Sequence, residues 1–204
     1  QLLFPGRFFD TVVIGWERAL FGGEVLPLVL HRWWPWRPLS EYLHFAYFAY
    51  YLVIPTPFVA LALHRRWDDV ELFLTRLMLV FVACQILFIA FPVAGPFHHF
   101  PEPDAHAMGS VFPPLVHALL HAGSSVGTAF PSSHCAVAAT CWLMVLRREK
   151  VAAWLLAAVV PALTVGTVYG GFHYAVDALA GWALALLLLP VADRLHRRLQ
   201  ARRA

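Results

Sequence analysis

The sequence predicts an all-α protein, a polytopic helical bundle in a membrane, and three observations predict it. The chain is 60% hydrophobic and only 13% charged, with a mean hydropathy of +0.66. A soluble chain of 204 residues could not hide that much apolar surface, so its solvent is lipid. The apolar residues fall into runs of spanning length, and arginines gather in the short breaks between runs, as in cytoplasmic loops. One domain fits the length. The net charge of +3 and pI near 9.0 could signal nucleic acid, but arginines distributed in this way predict no such partner.

Residues 8–30 are apolar but broken by Asp10, Glu17, Arg18, Gly22, Gly23, Glu24 and Pro27. So many breaks disfavour a spanning helix. Residues 1–38 are therefore expected to form an interfacial amphipathic segment, with Trp33, Trp34 and Trp36 at headgroup depth; a tilted, imperfect span is the alternative. Five clear spans follow within a transmembrane core of residues 39–192. The first, 39–63, is expected to bend at Pro55 and Pro57. The second is 70–91, with Arg76 close enough to its start to snorkel. The others are 130–146, 151–168 and 172–189. Residues 91–129 read as a long proline-broken connection, with a short helix over 115–121. Residues 193–204, with five arginines, read as a basic cytoplasmic tail against an anionic leaflet. Cys84, Cys135 and Cys141 lie inside apolar runs and read as small buried hydrophobes. The opening QLLFPGRFFD has neither a basic leader nor a small-residue cleavage site, so no cleaved signal peptide is expected.

The basic breaks at 65–66, at 147–150 and in the tail alternate so as to lie on one side. The 91–129 connection, the start of the third span and the Gly170-Gly171 turn then meet on the other. His134 and His173 share that face. His173 and Asp177, four residues apart, are expected to share a helix face and to hydrogen-bond. An ionisable pair at the mouth of a membrane helix is functional by default. The third span opens with Phe130-Pro131-Ser132-Ser133-His134, where proline and serine favour a helix start. Its free N–H groups and the positive end of the dipole form an anion site, to which Ser132 and Ser133 add hydroxyls.

Such a constellation suits phosphoryl transfer through a covalent intermediate. His173 would attack phosphorus while Asp177 fixes its tautomer. His134 would protonate the leaving oxygen and then activate water. The amides of Ser132 and Ser133 would hold the equatorial oxygens.

At these residues the chain resembles the type 2 phosphatidic acid phosphatase superfamily of integral membrane enzymes. The second signature of those enzymes, Pro-Ser-Gly-His, stands here as Pro131-Ser132-Ser133-His134. Their third, Ser-Arg, then His and Asp, stands as Gly166-Thr167, His173 and Asp177 at the same spacing. FPVAGP at residues 91–96 is similar to the first signature of the branch that includes inositol phosphorylceramide synthases. The resemblance covers residues 91–181. It implies a helical core, a metal-independent phosphohistidine mechanism without cofactor, and lipid phosphates as substrates. The implied protein is a lipid-phosphate phosphatase of a bacterial inner (cell) membrane, with its site on the non-cytoplasmic face. A headgroup phosphotransferase is the nearest rival. A metal-binding protein using His134, His173 and Asp177, or an inactive scaffold, are the others.

Three departures remove the cations of the pattern. Thr167 replaces the third-signature arginine, Phe88 stands where a lysine is expected, and Phe97 where some relatives carry arginine. His98 and His99, beside the first signature, are the expected substitutes in phosphate binding. His117 and His121 have helical metal-ligand spacing, but no acidic partner is evident in the sequence, and no metal is expected there. His44, among tyrosines, reads as a packed interior histidine.

Overall fold

The computed structural model describes residues 6–203, all of its regular structure helical. Residues 1–5, on which the signal-peptide expectation partly falls, lie outside the described residues.

Two short helices begin the chain, α1 (Asp10–Leu20) and α2 (Leu26–Trp33). The first expected span is three pieces in succession: α3 (Arg37–Phe48), α4 (Tyr50–Val53) and α5 (Pro55–Leu63). The arm after residue 49 is bent by 44° from α3. Pro55 occupies the first position of α5, where its missing N–H costs nothing. The bend therefore lies before the prolines rather than at them. Next comes α6 (Trp67–Ala90), the longest of the clear spans expected before the connection.

The connection is more ordered than expected. It carries α7 (Pro96–His99), α8 (Ala105–Met108) and α9 (Phe112–Gly123), the last longer than the predicted 115–121. A β-bridge joins Val93 to Thr128 and closes its two ends. Then follow α10 (Ser133–Val145), α11 (Lys150–Tyr169) and α12 (Ala175–Ala201). Among the described residues, three helices, α6, α11 and α12, are long and apolar enough to cross a membrane, and the α3–α5 arm, counted as one bent span, makes a fourth. At 13 residues, α10 reaches only about 20 Å. It is enclosed instead by α12, α11 and α6, and every residue from 135 to 141 is buried. The three cysteines are free and buried, as their apolar setting predicts.

Helix α12 continues through Pro190 into the basic stretch and is helical to Ala201. Its end lies along α6, where Arg203 and Gln200 both reach Glu71. Arg76 also differs from expectation. Rather than snorkelling to a leaflet, it pairs through two nitrogens with both oxygens of Asp193, at 2.7 and 2.8 Å.

The largest surprise is α1. Asp10 and Glu17, read from the sequence as breaks, are 2% and 0% exposed and face the bundle. The apolar positions Val12, Trp16 and Leu20 are the exposed ones. The two carboxylates of α1 point inward, because backbone N–H groups of the bundle donate to them there.

Candidate active site

Two close approaches bring the expected signatures together. A Cβ at Gly181 would lie 2.4 Å from the carbonyl oxygen of Ser132. Only glycine allows α12 to come so near the start of α10. The amide of Ser132 then donates to the backbone carbonyl of Asp177 (2.9 Å), joining the two helix starts. At Gly166 a Cβ would lie 2.5 Å from the Leu43 carbonyl. The serine of the relatives' third signature has no room there, because α3 passes against α11.

Ser132 is the N-cap of α10, its hydroxyl oxygen accepting from the Cys135 N–H at 3.3 Å. With its amide also engaged, Ser132 serves the helix start. Ser133, the next residue, lines the cavity. The anion-binding role expected of both serines is open geometrically to Ser133 and not to the Ser132 amide.

His173 lies in the turn after α11, before α12 begins, so it does not share a helix with Asp177 as expected. The Thr167 carbonyl accepts the N–H groups of both Phe172 and His173 at 2.9 Å and forms this turn. Tyr174 is the N-cap of α12, and Asp177 is its third residue. One carboxylate oxygen of Asp177 accepts from the Tyr174 N–H at 2.9 Å. The same oxygen lies 3.5 Å from His173 Nδ1, an electrostatic contact rather than a well-formed hydrogen bond. The partner of Nδ1 is the Ala129 carbonyl at 3.0 Å. A carbonyl can only accept, so Nδ1 carries the proton and Nε2 keeps a free lone pair. Burial holds this imidazole well below its usual range, at about 4, against the opposing effect of the Ala129 carbonyl.

His134 faces it, with ring centroids 5.7 Å apart. Its Nε2 is 3.4 Å from the Tyr47 hydroxyl, and Tyr47 and Tyr50 flank its ring at 5.0 and 4.5 Å. Both histidines open into a cavity of about 390 Å³. Its lining contains no lysine or arginine. Phe88 and Phe97, at positions where cations were expected, are both wall residues. Thr167 is buried beneath, its hydroxyl donating to the Thr164 carbonyl at 2.8 Å. His98 lines the cavity, with Nε2 3.1 Å from the Ser124 hydroxyl. His99 is exposed, packs against Phe100 and does not line it.

Several contributors were not visible in the sequence. Tyr47 comes from the first arm, 87 residues before His134. Glu102 supplies the acidic partner that His117 and His121 lacked, one oxygen to His117 Nδ1 and the other to His121 Nε2 at 2.7 Å. His44 is fully buried, its Nδ1 donating to the Ser40 carbonyl at 2.7 Å, as an interior histidine should be. Asp10 and Glu17 were legible only as charges in an apolar run. A seven-residue interval, which puts both on one helical face, was the available signal.

Fold and site together define an integral membrane bundle with two facing imidazoles at the mouth of one cavity. The profile of the PAP2 superfamily matches residues 12–191, and the chain belongs to that superfamily. Membership brings a phosphatase- or phosphotransferase-type function on lipids. No curated protein and no solved structure matches the chain.

Proposed function

We propose that this protein hydrolyses a phosphate ester or pyrophosphate of a lipid through a phosphohistidine at His173. The observation that carries the reading is the tautomer of His173. With Nδ1–H donating to the Ala129 carbonyl, the Nε2 lone pair is free at the cavity, opposite His134. Nε2 forms the bond to phosphorus as the bond to the leaving oxygen breaks. His134, protonated in the complex, gives that oxygen its proton. Water then attacks phosphorus and loses its proton to His134, and the N–P bond breaks to release phosphate. The positive end of α10 and the group at Ser133 favour the charge on the equatorial oxygens. Asp177 stabilises the imidazolium across 3.5 Å and holds the turn through its cap. His98 is the nearest candidate for the missing cation, and His99 is a weaker one.

The orientation that goes with this reading puts the Arg66, Arg148 and α12 ends in the cytoplasm and the cavity on the non-cytoplasmic face of a bacterial inner membrane. Single cysteines in the 147–150 turn should be labelled by an impermeant reagent only after the membrane is opened.

A release assay across phosphatidate, prenyl pyrophosphates and sphingolipid headgroup donors tests the function. One class should yield phosphate, and orthovanadate should inhibit. Failure on all three, with no vanadate binding, would refute it.

A second reading, transfer of a headgroup to a lipid hydroxyl, is favoured by the lining without lysine or arginine. A phosphodiester carries one negative charge where a monoester carries close to two, so it needs less compensation. Phe97→Arg separates the readings: it should raise kcat/KM for a monoester and leave a diester little changed.

A further inference from the structure

The cavity has two walls that touch at Phe97 and Phe172 and are also bridged from behind by α1. One is the Ala94–Gly95 turn leading into α7, which contributes Ala94, Phe97 and His98. The other is the turn bearing Phe172 and His173 ahead of α12. Asp10 takes the first wall and reaches the second. Its carboxylate accepts from the Ala94 N–H (2.8 Å), the Gly95 N–H (3.0 Å) and the Tyr174 hydroxyl (3.1 Å). Glu17, two turns further along the same face, accepts from the N–H groups of Ala175 (3.1 Å) and Val176 (3.0 Å) at the start of α12. It also accepts from the Leu26 N–H (3.3 Å), where the chain enters α2.

These carboxylates are in an unusual place. Val12, Trp16 and Leu20 of the same helix are exposed, while its two carboxylates face in beside the buried Val13. Burying an ionised carboxylate costs several kcal/mol unless it is paired or hydrogen-bonded. All six contacts are donors to these oxygens, as an ionised carboxylate requires, and no cation is among them. Asp10 lies against the hydroxyl of Tyr174, the residue after His173, and Glu17 against the first two amides of α12.

We propose that Asp10 and Glu17 are positioning residues for phosphoryl transfer: from α1 they hold the two cavity walls at one spacing and so fix the turn that presents the His173 imidazole. This rests on the phosphohistidine reading of the same cavity. Neither residue touches the cavity, so each acts through the backbone it binds. Burial raises the Glu17 carboxyl above its usual range while its three backbone donors oppose that, which is the balance expected of an anion kept in place by its amides.

The test uses the full chain in lipid nanodiscs with the isosteric variants Glu17→Gln and Asp10→Asn, and Leu20→Ala on the outward face as control. Two readouts are taken: kcat and KM on phosphatidate, and the rate at which diethyl pyrocarbonate modifies His173. For the two carboxamide variants kcat should fall by between about tenfold and a hundredfold, the range for misplacement of a reacting group, with KM changed less than about twofold. His173 should be modified several times faster in both, and Leu20→Ala should match the parent. An unchanged kcat together with an unchanged modification rate would overturn the proposal. So would a fall in KM-dependent binding alone. If the parent releases no phosphate from any lipid, the phosphohistidine reading fails, and the modification rate still decides whether α1 positions His173. Should either variant not fold, Tyr174→Phe removes only the hydroxyl bond to Asp10; it should speed His173 modification in part, and no change there would reject the role of Asp10.

Discussion

The two ends of the bundle treat charge in opposite ways. At the basic end, cations meet anions directly. Arg66 reaches Asp69 (2.7 Å) and Glu149 (3.3 Å), and Arg148 reaches the other oxygen of Asp69 at 2.8 Å. Arg76 and Asp193 form a bidentate pair deeper in the helices. At the cavity end the anions Asp10, Glu17 and Asp177 are held by backbone N–H groups and one tyrosine hydroxyl. Paired charges fasten helices and leave nothing to react. Anions held by amides rather than by cations, with one oxygen of Asp177 left unpaired, leave the imidazoles as the groups that can change charge at the cavity. The comparison assigns stability to one end and chemistry to the other, and it can be broken by variants at either.

The largest expected effect is at His173. His173→Gln should bring turnover to background in folded protein, because no other side chain presents a free lone pair at that position. His134→Ala should follow closely for poor leaving groups, at about two to four decades. Retained turnover in either, measured as phosphate release, would remove the site from the cavity end.

Next is Gly181→Ala. A Cβ 2.4 Å from the Ser132 carbonyl must push α12 from α10, costing about 1–3 kcal/mol as overpacking. Because that contact also sets the two helix starts, activity per folded molecule should fall with Tm. At the basic end Arg76→Leu should cost about 3 kcal/mol, the low end for breaking a buried pair, since the Asp193 side chain is 29% exposed. There, activity per folded molecule should stay at the parent level. A thermal melt alongside the assay separates the two patterns.

Asp177→Asn should have a smaller effect on rate than its position suggests. The Ala129 carbonyl already fixes the His173 tautomer, so kcat should drop about tenfold rather than the four decades of a lost tautomer control. The weakened cap should lower stability by about 1 kcal/mol.

The pH profile gives the smallest effect and the finest test. His173 is held below its usual range, at about 4, so the neutral nucleophile persists from high pH down to about that value. Activity should fall as pH falls through it, and folding should also weaken between about 6.5, the unfolded value, and 4. An acid limb of kcat near 6.5 would mean that the imidazole is open to water.

How much of this was legible follows from what each signal depends on. The helices of the core were visible because lipid requires long apolar runs, and His134 and His173 because the alternation of basic breaks put them on one face. The short α10 looked like a span because burial by other helices and burial by lipid select the same residues. The carboxylates of α1 were misread because a charge in an apolar run looks like an interruption until its backbone partners, up to 159 residues away, are known. The place of Asp177 in a cap, and the handover of Nδ1 to Ala129, depend on where one turn bends, and spacing alone does not carry that.

The central claim is the covalent intermediate. The direct measurement is a rapid quench into alkali, which preserves phosphohistidine, after mixing with the lipid phosphate that the protein turns over best, followed by peptide mass spectrometry. One phosphoryl group on His173, absent from His173→Gln and lost on a chase with water, is the result this account requires. A phosphoryl group on another side chain, or full turnover with His173 never modified, would contradict it.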